Sequence, residues 1–193
     1  MSLYKFAKNV VGFLLFPIFR IKVVGKENVP AAGPVIICSN HISNFDPPVV
    51  GITAPRDIYF MAKEELFQNR LLKGLLTRIQ AFPIKRGMKD RNALRQALRI
   101  LEEGNTLGLF PEGTRNRTGQ VGKGLSGAGF FALRSNAYIV PCAIIGPYKP
   151  FKQLKVVYGK PIEMEQLREN KTPAKDVTEV IMQEIQQLMD KHR

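Results

Sequence analysis

Residues 34–46, Pro-Val-Ile-Ile-Cys-Ser-Asn-His-Ile-Ser-Asn-Phe-Asp, decide the fold assignment, because an apolar run passes directly into a polar loop. The run over residues 34–38 is short and rich in β-branched side chains, which is typical of a buried strand. The loop holds His41 and Asp46. An imidazole exchanges a proton near neutral pH, and a carboxylate can fix its tautomer. A general base at a strand's carboxyl end, where α/β sheets bind ligands, is one interpretation. An incidental histidine beside a capping Asn40 is the other.

The rest of the chain alternates between segments with the pattern of a β-strand and segments with the periodicity of an α-helix. Strands are predicted over residues 20–24, 35–38, 57–61, 82–84, 106–110, 138–145 and, as an edge strand, 155–158. Helices are predicted over residues 64–79, 90–103, 127–134 and 176–191, with a short one after Pro47-Pro48. This alternation predicts an α/β fold with a mixed, largely parallel sheet flanked by helices on both faces.

The first 19 residues have the character of a membrane-surface segment. Their apolar run, residues 10–19, is about half the length that a spanning helix needs. Polar or small residues recur at helical spacing opposite apolar ones: Ser2, Lys5, Asn9 and Gly12 against Leu3, Phe6, Val10 and Phe13. Such a helix tends to lie in the bilayer interface, although packing on the protein's own core is the alternative. We therefore expect an amphipathic membrane-anchoring segment over 1–19 and one catalytic domain over 20–193.

The net charge of +13 indicates anionic partners. Residues 63–99 hold ten Lys or Arg against three acids, so the excess is concentrated. Phosphorylated substrates, acidic lipid headgroups and nucleic acid all fit such a charge, but we see no helix-turn-helix, zinc or aromatic RNA-binding pattern and expect no nucleic-acid partner. Cys38 and Cys142 lack metal-ligand spacing, and their apolar surroundings predict buried free thiols.

Two further turns carry cations at predicted strand ends. Residues 110–115, Phe-Pro-Glu-Gly-Thr-Arg, follow one strand, and Lys85 and Arg86 precede a glycine after another. The planar guanidinium group suits phosphate. Either turn alone is more often a solvated basic turn, but together with the histidine loop they favour one shared site.

The order of these segments resembles the glycerophospholipid acyltransferase family. Its four motifs match residues 41–46, 82–86, 110–115 and 139–143, and the resemblance extends over about residues 20–161. It implies transfer of a fatty acyl group from an acyl-carrier-protein or coenzyme A thioester to the free hydroxyl of lysophosphatidic acid, which gives phosphatidic acid. It implies no cofactor and no metal. It also implies a monotopic protein that binds anionic lipid on the cytoplasmic face of the cell membrane.

The resemblance also implies roles for individual residues. His41 is the general base and Asp46 orients it, with no covalent acyl-enzyme. Arg86 and Arg115 hold the acceptor's phosphate with Lys85 as a helper. Glu112 orients Arg115 or accepts a hydrogen bond from the glycerol part, a backbone N–H near Gly113 is a candidate for the oxyanion, and Thr114 is a further substrate-binding or orienting residue. Val140 and Pro141 are candidates for the acyl site.

Other interpretations remain open at this point. The acceptor can be glycerol-3-phosphate or another lysophospholipid, and a non-catalytic basic membrane-surface protein would also explain the charge. Cys38 or Ser43 as a nucleophile is disfavoured, because three or fewer residues rarely separate such partners. Residues 122–127 match G-x-G-x-x-G but do not follow a predicted strand, so we interpret them as a glycine-rich loop.

Overall fold

The computed structural model describes residues 3–85, 90–116, 118 and 120–193. Its helices are α1 Leu3–Ile18, α2 Asp46–Thr53, α3 Arg70–Arg78, α4 Arg91–Glu102, α5 Gly127–Arg134, α6 Glu165–Glu169 and α7 Ala174–His192. Its strands are β1 Lys22–Val24, β2 Val35–Ser39, β3 Ile58–Lys63, β4 Ala81–Ile84, β5 Thr106–Leu109, β6 Tyr138–Ile145 and β7 Lys155–Tyr158. The predicted α/β class is confirmed.

The strands form one seven-stranded sheet in the order β1-β7-β6-β2-β5-β3-β4. Strands β6, β2, β5, β3 and β4 are mutually parallel, whereas β7 runs antiparallel to β6 and carries β1 parallel to itself. The carboxyl ends of β2, β5 and β4 therefore meet at one edge of the sheet. This edge receives the histidine loop, the turn over residues 110–115 and Lys85, as the sequence predicts.

Two apolar cores lie on opposite faces of the sheet. Alternate residues of β2 divide between them: Val35 and Ile37 face the side of α2, whereas Ile36 and Cys38 face the side of α4, α5 and α7. The connections from β2 to β3 and from β3 to β4 cross the sheet in the same direction. Because such crossovers are right-handed, α3 lies on the same side as α2.

Helix α1 lies on that side as well and packs against α2. The Tyr4 hydroxyl accepts a hydrogen bond from Ile58 N (2.9 Å), and Lys8 Nζ donates to Ala54 O (2.6 Å). Gly12, which the sequence pattern grouped with Ser2, Lys5 and Asn9, is buried in this contact. Hydropathy marks the apolar face but does not show which face meets the protein. No helix in the described ranges is both long and apolar enough to cross a bilayer.

The outer surface of α1 is largely apolar, although Lys5 and Asn9 are exposed as well. Its exposed large side chains are Leu3, Phe6, Val10, Phe13, Leu14, Phe16 and Ile18. One face of α1 therefore packs on the protein, as the second of the two predicted arrangements requires, and the opposite face is left uncovered. A position of α1 in the bilayer interface stays a prediction.

Two element predictions were wrong. The helix predicted over residues 64–79 is a 3-10 turn, Glu64–Phe67, followed by α3, because Asn69 caps a new helix by accepting from the N–H groups of Leu71 and Leu72. Strand β7 is not at the edge, because β1 pairs on its outer side. The short helix α6 was not predicted at all.

Candidate active site

The histidine loop brings a base and an acid together at the end of β2. His41 Nδ1 lies 2.7 Å from Asp46 Oδ2, and both residues are buried. Asp46 is the first residue of α2, where the helix dipole favours a negative charge. A carboxylate only accepts, so Nδ1 carries the proton and Nε2 is left as the basic nitrogen.

The Asp46 carboxylate is surrounded by donors although it has no exposed surface. Oδ2 also accepts from Ile42 N (2.6 Å) and Ser43 N (2.7 Å), and Oδ1 accepts from the Tyr148 hydroxyl at 2.6 Å. Four donors on two oxygens compensate for the loss of water around the charge. The carboxylate is therefore fixed in both position and orientation.

The turn after β5 holds His41 itself. The backbone N–H of His41 donates to Glu112 Oε1 (3.0 Å), and the backbone oxygen of His41 accepts from Asn116 N (2.7 Å). The imidazole stacks on Phe110, with 4.4 Å between ring centroids, and Phe110 stacks in turn on Phe60. Backbone, ring face and Nδ1 are all constrained, which leaves Nε2 for chemistry.

The position of Glu112 differs from what we predicted. Its second oxygen accepts from Gly122 N (3.2 Å), so the buried carboxylate joins the histidine loop to the glycine-rich loop. The N–H of Gly113 donates to Phe110 O (2.9 Å) and closes the turn with a positive φ of 68°. The N–H of Gly113 itself is therefore already used, and an oxyanion contact from a backbone N–H near Gly113 stays a prediction.

The predicted phosphate ligands lie at different distances from the base. Arg115 and Thr114 are exposed on the same turn as Glu112. Lys85 follows the edge strand β4, three strand positions from β2, and its Nζ lies 3.6 Å from Glu64 Oε1. At the usual strand spacing this is about 14 Å across the sheet. Arg86 lies outside the described residues.

The proposed acyl-site residues lie deeper in the sheet. Val140 and Pro141 are in β6, where they pair with Ile37 and Cys38 of β2, and Val140 is completely buried in the core on the side of α2. They support the floor of the histidine loop, and their acyl-binding role stays a prediction. Asn40 is a scaffold residue, since it exchanges two hydrogen bonds with the backbone of Ile144 (3.0 and 2.7 Å).

Neither side chain considered as a nucleophile is placed for that role. Cys38 and Cys142 are buried free thiols, as predicted, and burial raises the pKa of Cys38 to about 12. The Ser43 hydroxyl accepts from Phe45 N at 3.2 Å in the loop turn. A covalent acyl-enzyme through either residue is not supported.

Sequence reasoning missed Tyr148. It lies in the loop between β6 and β7, 102 residues from Asp46. Its ring contacts Phe19 edge-on (5.3 Å between centroids) and stacks near Phe45 (5.9 Å). Burial, followed by the charge of Asp46, raises its pKa far above the usual range for tyrosine. No periodicity or motif marks this tyrosine, because its role depends on where the loop folds back.

A mixed α/β sheet that holds a histidine and an aspartate five positions apart, clasped by a Phe-Pro-Glu-Gly-Thr-Arg turn, is the arrangement of an acyltransferase. A model of the Acyltransferase family matches residues 20–145. The chain belongs to this family.

The individual relatives point the same way. The chain is 32% identical to the 1-acyl-sn-glycerol-3-phosphate acyltransferase of Bacillus subtilis, over 98% of each chain. It is also 32% identical to the protein of the same name from Borreliella burgdorferi, over 65% of this chain and 51% of that one. The crystal structure of the 1-acyl-sn-glycerophosphate acyltransferase PlsC from Thermotoga maritima superposes with a TM-score of 0.74 at 25% identity, over 99% of this chain and 79% of that chain.

Proposed function

We propose that this acyltransferase moves a fatty acyl group from a thioester to the sn-2 hydroxyl of 1-acylglycerol-3-phosphate. The hydroxyl oxygen attacks the thioester carbonyl while its proton passes to His41 Nε2. The new ester C–O bond forms, the C–S bond breaks, and the proton is then available to the departing thiolate. The products are phosphatidic acid and the free thiol of the donor.

The His41–Asp46 pair is the observation that carries this proposal. Nδ1 is held at 2.7 Å from a carboxylate, so the ring presents Nε2 as a base, and the imidazolium that forms lies beside a negative charge. General-base assistance of this kind is worth roughly 10²–10⁴ in rate. Since neither Cys38 nor Ser43 is placed to attack, the acceptor supplies the nucleophile.

Arg115 is the best-placed residue to bind the acceptor's phosphate. It is exposed and lies one residue before Asn116, whose N–H bonds to the backbone of His41. A guanidinium fork binds phosphate oxygens in pairs, which would fix the glycerol relative to the base. Lys85 and Arg86 remain proposed contributors from the edge of the sheet. Both candidate donors, acyl-carrier protein and coenzyme A, are anionic and fit the net charge of +13.

The membrane is the proposed location, with α1 as an interfacial helix. Its outer face exposes Phe6 by 52% and Phe13 by 82%, which is a costly arrangement in water. Burying such a face in the headgroup region of a single leaflet removes that cost without spanning the bilayer. The lysophospholipid acceptor would enter from the same leaflet.

The test of the reaction is a labelled acyl-transfer assay with His41→Ala, in detergent micelles that hold lysophosphatidic acid. We expect a loss of about 10²–10⁴-fold in kcat. His192→Ala is the matched control, because it removes the only other histidine. Full activity of His41→Ala would remove the general base from the mechanism.

The phosphate role of Arg115 is tested with two acceptors, lysophosphatidic acid and monoacylglycerol. Arg115→Ala should lower kcat/KM for the phosphorylated acceptor and leave the low rate with monoacylglycerol unchanged. An equal loss with both acceptors would assign Arg115 to another role.

For the membrane position, point substitutions are sharper than truncation, since removing residues 1–19 would uncover the α2 surface that Tyr4, Lys8 and Gly12 cover. Phe6→Ser combined with Phe13→Ser should release the protein from vesicles in a flotation assay while activity in micelles persists. Retention on vesicles would place the anchor elsewhere.

A further inference from the structure

Helix α3 is a second surface that the fold leaves uncovered. None of its nine residues is buried, and Leu71 is 86% exposed, with Leu75 50% exposed one turn further on. It connects β3 to β4, a position in which a crossover helix normally presses an apolar stripe onto the sheet. Here Leu71 and Leu75 instead face outward, and even Leu76 is only half-buried.

The charges of α3 show which environment suits these leucines. Arg70, Lys73 and Arg78 are exposed around the leucine stripe, and the helix contains no acid. Apolar side chains flanked by long cations suit the boundary of an anionic bilayer, where the leucines enter the acyl region and the cations reach the phosphates. A soluble protein partner would need acidic side chains at positions that match the three cations. An anionic leaflet supplies negative charge over its whole surface, so the cations find partners however the helix is turned.

The topology places this surface on the same side of the sheet as α1. Both helices lie on the α2 side of the sheet, and the apolar face of α1 is also turned away from the protein. Helix α4, on the opposite side, exposes Arg91, Arg95 and Arg99 but buries its apolar residues in the core. Exposed cations therefore occur on both α3 and α4. Of these two helices, only α3 also exposes leucines beside its cations.

We propose that α3 is a second, charge-selective membrane contact, which binds an anionic bilayer surface together with α1 and sets the orientation of the sheet on it. The proposal rests on the membrane location given above for α1. Two contacts on one side of the sheet define a plane, whereas α1 alone would leave the protein free to rotate about the helix axis.

The direct test uses the absence of tryptophan from the chain. In Leu71→Trp the single indole should shift to the blue on vesicles of 30% phosphatidylglycerol in phosphatidylcholine and be quenched by brominated acyl chains. Gln96→Trp, on the exposed side of α4, is the matched control and should keep the emission of a water-exposed indole. Identical spectra for Leu71→Trp with and without vesicles would overturn the proposal.

Measurements of vesicle binding separate the apolar from the electrostatic contribution of α3 to membrane affinity. Arg70→Gln/Lys73→Gln/Arg78→Gln should weaken binding to anionic vesicles by roughly fivefold per charge and leave binding to pure phosphatidylcholine unchanged. Arg91→Gln/Arg95→Gln/Arg99→Gln removes the same charge from the other side and should change vesicle binding far less. Equal losses in the two triple variants would show that net charge alone matters and would contradict a specific role for α3.

The outcomes for α3 and for the reaction are distinguishable. Leu71→Ser/Leu75→Ser should lose about tenfold or more in partitioning onto vesicles yet retain acyl transfer in micelles. Unchanged partitioning would refute the α3 contact while the reaction still stands. Absence of phosphatidic acid from the wild type would refute the reaction, and the tryptophan readout of α3 would still be interpretable.

A second inference comes from Tyr148, independently of the membrane. Its hydroxyl is the donor on Asp46 Oδ1, the oxygen that does not face His41. The geometry points to Tyr148 as a positioning residue that keeps the carboxylate from rotating away from Nδ1. The phenol is held by Phe19, the residue after α1, and by Phe45, the residue before Asp46.

Tyr148→Phe removes this hydrogen bond and preserves the ring contacts. Tyr158→Phe is the matched control, since its buried hydroxyl bonds to Thr53 Oγ1 at 2.7 Å without touching Asp46. We expect Tyr148→Phe to lower kcat about tenfold or more with acceptor KM within twofold, because bonds to charged groups are among the stronger ones. Substitution by 4-aminophenylalanine, which returns a donor, should restore part of the rate.

A spectroscopic readout makes this test independent of activity. The chain has two histidines, so the imidazole ¹⁵N spectrum is simple, and His192 serves as an internal reference. Wild-type His41 should show one tautomer with the proton on Nδ1, and Tyr148→Phe should show a mixture. An unchanged spectrum together with an unchanged kcat would overturn the positioning role.

Discussion

Gly108→Ala is the substitution that most directly tests how His41, the proposed general base, is supported. Gly108 pairs with Phe60 across β5 and β3, and an added Cβ would lie 2.2 Å from Phe60 Cε1. The ring would have to retreat by more than 1 Å to reach ordinary contact. Overpacking of this kind costs about 1–3 kcal/mol. At about 2–4 °C of Tm per kcal/mol, thermal unfolding measures the loss readily.

The same change should slow catalysis, because Phe60 stacks on Phe110 and Phe110 stacks on His41. Adding Phe60→Leu to Gly108→Ala makes room for the methyl group and should recover part of both Tm and kcat. Gly74→Ala is the control, since nothing lies within 4 Å of its added Cβ and α3 should gain helix stability. If Gly108→Ala kept the wild-type Tm and kcat, the stack would not hold the base and the reasoning would be refuted.

Two further predictions follow from the contacts. Glu112→Gln places an amide NH₂ opposite the donor Gly122 N, so we expect the protein to lose about 1–3 kcal/mol of stability, measured by thermal unfolding. A raised acceptor KM with unchanged Tm would indicate a substrate contact instead. Burial raises the pKa of Cys38 and of Cys142 to about 12. Their stabilising contribution is therefore complete below the unfolded value near 8.5 and is lost as the pH rises toward 12. Between pH 8 and 10 the free energy of unfolding should fall by about 2 kcal/mol more per thiol than in Cys38→Ala/Cys142→Ala, as followed by urea titration. If the free energy of unfolding fell equally with pH in the wild type and in the double variant, the burial of the two thiols would be contradicted.

Continuous apolar runs made most of the sheet predictable. Strand β6 begins and ends where the pattern placed it, because a strand buried on both faces has no polar interruption. Strand order is not contained in periodicity, so the interior position of β7 was missed. The break before α3 depends on one capping side chain, Asn69, and the apolar spacing continues across it without a signal.

The contacts of the candidate site were predictable where residues of one loop meet and not where distant loops meet. His41 and Asp46 are five positions apart and were identified from the sequence. Glu112 and Tyr148 also hold this pair, yet they come from turns 71 and 102 residues away from their partners. Glu112 was interpreted as orienting Arg115 or binding the glycerol part, because the sequence does not show that the backbone N–H groups of His41 and Gly122 bond to its two oxygens.

If the nucleophile belongs to the substrate, as proposed, the way His41 is held has a consequence for catalysis. A hydrolase with its own serine can fix both the nucleophile and the base, whereas here the protein can fix only the direction of Nε2. The reacting hydroxyl is placed only when the acceptor binds, so contacts to its phosphate contribute to orientation as well as to affinity. Under the proposed function, a phosphate contact such as Arg115 should therefore appear in kcat and not in KM alone. The rigid support of His41 by Phe110, Glu112 and Asp46 then follows, because any freedom left in the base would add to the freedom of a nucleophile that the protein does not hold.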